Sequence, residues 1–250
     1  MFDHTDPLAL AAILAALMMG GVLKGATGAG APVIAVPVIA GVFDIRVAVV
    51  IMAVPNLLTN TWQSWSYRSH GIGRSFTLAF ALAGAIGTIA GTVVLALLPI
   101  DALQLLTAAV VFLYVLLRLA RPELTLSRHH ANRAVVPVGV AAGVLQGAAG
   151  ISAPISLSFL SAMRLSRPAF IATISLFFAS MGLVQLPSLA YYGLMTWQLF
   201  GIGILAVVPL LLGMPLGAAI ARRIGPKGFD RVILVFLCLL ALRLIWTALH

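Results

Sequence analysis

The chain has 250 residues, of which 62% are hydrophobic and only 8% charged, with a mean hydropathy of +1.14. A soluble domain carries about a quarter of its residues as charges to cover its surface, so this composition excludes one and demands a hydrocarbon solvent. The formal charge of +9 does not point to nucleic acid, because the arginines fall in loops between apolar runs, as on the cytoplasmic side of membrane proteins.

In chain order, the opening MFDHTDPLAL carries acids and no base ahead of its apolar stretch, which argues against a secretory signal. Apolar runs follow at about 8–23, 31–43, 47–66, 75–98, 102–117, 135–149, 153–163, 168–190, 197–221 and 229–249. A helix needs about 20 residues to cross the hydrocarbon core, and most runs reach or approach that length. Two neighbouring pairs fall short: 8–23 with 31–43, and 135–149 with 153–163. A glycine-rich break separates the arms of each, Gly25-Ala26-Thr27-Gly28-Ala29-Gly30-Ala31-Pro32 in the first and Gly147-Ala148-Ala149-Gly150-Ile151-Ser152-Ala153-Pro154 in the second. The lone cysteine, Cys238, lies in the last run, so no intramolecular disulfide or cysteine-based metal site is expected.

The breaks expose a repeat. A shift of 122 places Gly21, Val22, Leu23, Gly25, Ala26, Gly28, Ala31 and Pro32 on identical residues at 143–154, and Gln63 on Gln185. A shift of 126 matches the GxxxG pairs Gly87/Gly91 and Gly213/Gly217, which are expected to be close helix contacts. The expected organisation is a first repeat over 1–120, a cytoplasmic linker over 121–134 and a second repeat over 135–250.

Charge sets the orientation. With the 67–74 loop in the cytoplasm, twelve of the fifteen Lys and Arg residues fall on that side; Arg46 and Arg243 fall outside and Lys24 within the membrane. The 135–163 pair then begins and ends at cytoplasmic loops, so it is expected to dip in and return. The 8–43 pair does the same from the other side, placing the N-terminus outside. Three further crossings per half make the second copy inverted. The fold class expected is therefore an all-α integral membrane protein with two inverted repeats, each a re-entrant or broken-helix hairpin plus three transmembrane helices.

Broken helices that meet inside inverted repeats form the binding sites of secondary transporters, and non-helical backbone at membrane depth must face protein or a water-filled cavity. Pro32 and Pro154 suit first helical turns, so the N-termini of the second arms are expected to turn their N–H groups toward a shared cavity, where anions are favoured. Lys24, at the close of the first arm beside the break, is the one cation that the charge pattern leaves within the membrane, and its repeat partner is Gln146. A buried ionisable residue in a bilayer is a functional hypothesis by default; the competing reading lets Lys24 snorkel to an interface.

The expected binding set is Lys24, Gly25, Thr27, Gly28, Gly30, Asn56 and Asn60 from the first half, with Gln146, Gly147, Gly150, Ser152 and Gln185 from the second. Asn56, Asn60 and Gln63 share one helix face. The two asparagines read equally as interhelical glue or pore lining, whereas Gln63, between Trp62 and Trp65, reads as interfacial. Those tryptophans, with Tyr191, Tyr192 and Trp197, read as aromatic-belt anchors. The acids are Asp3, Asp6, Asp44, Asp101, Glu123 and Asp230, all in loops or at helix ends, so none is placed for a proton relay or sodium cage. No nucleophile elbow or H-E-x-x-H motif occurs, and an enzyme, a metal site or a cofactor is not expected.

Two glycine-rich breaks ending in proline, about 120 residues apart in a chain of this length, resemble the TauE/SafE sulfite exporters, also called the toluene sulfonate uptake permease family. The resemblance covers nearly the whole chain. It implies traffic in sulfite, organosulfonates or related sulfur oxyanions across a bacterial inner membrane, with Gly25–Pro32 and Gly147–Pro154 as the implied site. The first break carries Gly28-Ala29-Gly30-Ala31 where the family often has a run of glycines. The expectation is thus a permease or exporter for a small sulfur-containing anion, working by the rocking of one repeat against the other. The alternatives are an anion channel and a carrier of another small organic anion. The expected partners are the substrate anion and the lipid bilayer, and a homodimer is compatible with so compact a bundle.

Overall fold

The computed structural model describes residues 6–120 and 125–224, and among these the regular structure is helical throughout. The predicted last run, 229–249, lies outside the described residues, as do Asp3, His4, Arg121, Glu123, Lys227, Asp230, Arg231, Cys238, Arg243 and His250. The helices are α1 (Pro7–Thr27), α2 (Ala31–Val42), α3 (Ile45–Ser66), α4 (Arg74–Leu97), α5 (Ile100–Ala120), α6 (Arg128–Ala149), α7 (Ala153–Ala162), α8 (Arg167–Tyr191) and α9 (Trp197–Ile224). Helices α1, α3, α4, α5, α8 and α9 contain stretches long and apolar enough to cross a bilayer.

Both pairs are interrupted where glycine permits. Gly28, with φ 88, ends α1 in the left-handed region, and its N–H bonds back to the Lys24 carbonyl. Gly30, with φ 93, then opens α2. Gly150, with φ 69, ends α6 in the same manner. Such values of φ are nearly free for glycine and strained for residues with a Cβ. The prolines stand in the first turns of α2 and α7 as expected.

The arms differ from the lengths expected. Helix α1 runs on through Lys24 to Thr27, and α6 starts at Arg128 behind a Ser127 cap, inside the stretch read as linker. At 1.5 Å per residue the 21-residue α1 is about 31 Å long and the 12-residue α2 about 18 Å. Each pair is therefore a full-length arm followed by a short returning one. Charge at Lys24 and the polar start RHHANR of α6 interrupt the apolar pattern without interrupting the helix.

Packing follows the glycines. A Cβ on Gly213 or Gly217 of α9 would collide with the carbonyls of Met18 and Val22 of α1; one on Gly87 or Gly91 of α4 would collide with those of Val140 and Val144 of α6. From the other side, Gly21 and Gly25 meet Leu210 and Met214, while Gly143 and Gly147 meet Gly84 and Thr88. Each of these four glycine contacts in the α1–α9 seam thus has a counterpart in the α4–α6 seam at the offsets 122 and 126. Between the seams α3 packs on α8, carrying the polar interior. Outward faces are bare and apolar: Leu8, Leu10 and Leu14 on α1, Leu82 and Ile86 on α4, Leu205 and Leu212 on α9.

The two ends differ in charge. Asp6 and Asp44 cap α1 and α3, and Asp101 lies in the first turn of α5. Arg46, beside them, donates to the carbonyls of Leu95, Ala96 and Leu98, closing the C-terminus of α4. At the opposite end Arg68 lies 4.3 Å over the Trp65 ring, and Arg128 bonds the Ile72 carbonyl and covers Phe76. Trp62, Trp65, Tyr191 and Trp197 are exposed, as belt anchors require.

Candidate functional site

Lys24 is the only charged side chain among the buried described residues, at 1% exposure. The stretch of α3 just after Pro55 holds its partners. Nζ of Lys24 donates to Oδ1 of Asn60 at 2.6 Å, and Nδ2 of Asn60 donates to the carbonyl and side-chain oxygens of Asn56, both at 2.7 Å. Both amides face the protein interior, and Lys24 is buried there rather than extended to an exposed interface. The three described acids all stand at helix starts, so the ammonium is solvated by an amide and not by a carboxylate.

The second half supplies a neutral counterpart. Ser152 Oγ donates to Gln146 Oε1 at 3.2 Å, and Gln185 Nε2 donates to the Gln146 carbonyl at 3.3 Å. Ser175 of α8 donates to Gln63 Oε1 at 3.4 Å, joining the central helices. Gln63 is 5% exposed, not interfacial as its neighbours suggested, because the helix turns it inward while Trp62 and Trp65 face out. Its alignment with Gln185 is the sequence signal that marks it.

Both breaks border one cavity of about 10 Å3, lined by Gly30, Pro32, Asn56, Gln146, Gly150 and Ser152, with Phe178 closing one side. That is room for about one water. Asn56 and Phe178 lie at the middles of α3 and α8, 122 residues apart. The turns themselves pass beyond that level: Gly28 abuts Ile171, one turn into α8, and Gly150 abuts Val49, one turn into α3, and Val36 of α2. The short arms therefore overlap rather than meet tip to tip.

Of the residues singled out by sequence, Gly30, Asn56, Gln146, Gly150 and Ser152 line the cavity, and Lys24, Asn60 and Gln185 form the network behind it. Gly25 and Gly147 lie off the lining because the helix seams require them. Gly28 packs on Ile171. Thr27 is occupied by its own turn, its hydroxyl donating to the Leu23 and Ala29 carbonyls. Val33 and Phe178 are lining residues that sequence missed; an apolar side chain in an apolar run carries no signal of its own. No group of three His, Cys, Asp or Glu side chains able to hold a metal occurs among the described residues.

Long apolar helices that enclose one buried ammonium, a set of amides and two interrupted turns define a multi-pass membrane protein with a polar interior site. The profile of the sulfite exporter TauE/SafE family matches residues 12–244, and the chain belongs to that family. The family is one of membrane transporters, not of enzymes. No curated protein and no solved structure matches the chain.

Proposed function

We propose that the chain is a secondary carrier moving a small sulfur oxyanion, sulfite or an organosulfonate, across the bacterial inner membrane through the cavity between the two breaks. The observation that carries this reading is Lys24, buried with a neutral amide for partner beside that cavity. A lone cation in the interior is costly unless an anion visits it. The lining offers further donors to oxygen atoms in the side-chain amide N–H groups of Asn56 and Gln146. Lys24 contributes charge, Asn60 and Gln185 hold Lys24 and Gln146 in place, and Gly30 and Gly150 let backbone approach the solute.

Room for one water cannot hold an oxyanion together with a continuous aqueous path, which favours a carrier that opens to each side in turn over a fixed channel. The same reading takes 1–120 and 135–250 as inverted copies joined by a cytoplasmic linker at 121–134, with the N-terminus outside. The matched glycine contacts of the two seams support the duplication. The acidic caps at one end and the arginines at the other support the orientation.

Flux of labelled sulfite into liposomes carrying the purified protein tests this. Saturation and accelerated exchange against internal sulfite are expected, with a melting-temperature rise selective for sulfur oxyanions. Flux that grows linearly with concentration and shows no counterflow would indicate a channel. A protein that carries no sulfur oxyanion overturns the reading.

A further inference from the structure

Beyond the central cavity, at the arginine-rich end, a hollow of about 450 Å3 opens between α3, the loop that follows it, α4 and α8. Ser64, Arg68, Arg74 and Thr77 form its polar walls, with Ala172 and Leu176 behind them. Ser64 lies one turn past Asn60, and Leu176 follows Ser175. Along α3, Asn60 and Gln63, which bond Lys24 and Ser175, lie between the cavity-lining Asn56 and the hollow-lining Ser64.

At the opposite end a hollow of about 600 Å3 lies between the end of α8 and the start of α9, lined by Leu186, Pro187, Ala190, Met195, Thr196, Trp197 and Phe200. Parts of the two linings correspond through the repeat offsets. The offset of 122 that pairs Val49 with Ile171 carries Ser64 onto Leu186 and Arg68 onto Ala190. The offset of 126 that pairs Gly87 with Gly213 carries Arg74 onto Phe200. A hydroxyl and two guanidinium groups at one mouth are replaced by leucine, alanine and phenylalanine at the other.

Building on the carrier reading, we propose that the hollow around Arg68 and Arg74 is a cytoplasmic vestibule that gathers the oxyanion, a second and weaker anion site, and that the outer mouth has no such site. The carrier's two faces then differ in apparent affinity. Arg68 is held at the rim by Trp65, whose carbonyl accepts from its Nη1 at 2.8 Å while the ring lies beneath the guanidinium. Arg74 stands at the exposed start of α4 on the opposite wall. Two like charges facing a recess with apolar walls concentrate anions there and raise their rate of entry. Because both are exposed, salt weakens the effect.

The test compares wild type with R68Q/R74Q in vesicles of pure phosphatidylcholine, measuring the half-saturating sulfite concentration separately from each face at low and high salt. At low salt the cytoplasmic-face value is expected to rise about tenfold in the double variant, with its salt dependence gone. The external-face value should respond to neither change. R68K/R74K should keep most of the wild-type behaviour, and R133Q, which removes an exposed charge elsewhere at the same end, should match wild type. R74Q alone gives the same direction should the double variant fold poorly, since Arg68 is also tied to Trp65. An unchanged cytoplasmic value in variants that still transport overturns the vestibule and leaves the carrier reading standing. An effect seen only with anionic lipid overturns it too, assigning the arginines to headgroups. Absence of sulfite flux in wild type removes both.

Discussion

A lysine at 1% exposure with an asparagine as partner costs more to bury than an apolar residue of like volume would. Stability alone gives no reason to keep Lys24 there, which separates its two possible roles experimentally. Lys24→Met is expected to leave the melting temperature of the purified protein unchanged or raise it, while abolishing the sulfite-induced shift. Losing one charge-assisted contact of about 1.5–3 kcal/mol lowers anion affinity about ten- to a hundredfold. A variant that melts lower and still responds to sulfite would make Lys24 a structural residue. Sequence marked Lys24 as a charge beside the first break and left open whether it snorkels; the structure buries it. Gln63 was misjudged because its flanking tryptophans are interfacial while it is not. Phe178 was invisible because one phenylalanine in an apolar run looks like any other, and only tertiary packing puts it on the cavity.

At the scale of the helices, the glycines divide into those that permit contact and those that do not. Gly91 faces the carbonyl of Val144, and a methyl there must push α4 off α6; Gly201 on α9 has nothing within 4 Å. Gly91→Ala is therefore expected to destabilise by about 1–3 kcal/mol through overpacking. Gly201→Ala is expected to be neutral or stabilising by up to about 1 kcal/mol from helix propensity. Thermal melts in detergent distinguish the two, and equal melts for both variants would remove the seam from the account. The GxxxG spacing showed that these helices touch something closely. Which helix each one touches was beyond the sequence, because the choice of partner is made by tertiary packing between residues more than 50 positions apart. Element ends were read short for a related reason: hydropathy marks where lipid is, whereas hydrogen bonding and the caps Gly28 and Ser127 decide where α1 stops and α6 starts.

For the whole molecule, the charge bias predicts which end faces the cytoplasm. Single cysteines at Ser69 and Tyr192, introduced after replacing Cys238 by serine, report this directly. An impermeant maleimide applied to intact cells should label Y192C and spare S69C, and inverted vesicles should reverse the pattern. Labelling of both from one side would contradict the orientation and with it the cytoplasmic placement of the arginine-lined hollow.

The two glycine seams also bear on how the molecule can move. Each seam joins an interrupted helix of one half to a helix of the other, α1 to α9 and α6 to α4, at backbone-to-backbone distance. Swinging one half as a block against the other would tear both. On the carrier reading, a motion that keeps each couple intact shears along the α3–α8 boundary, where Ser175 and Gln63 share one long hydroxyl–amide bond, and also releases the Arg46 bonds to the end of α4 and the Arg167 bond to Gly25. The parts that slide past one another to expose Lys24 are then hybrids, each drawn from both halves of the chain.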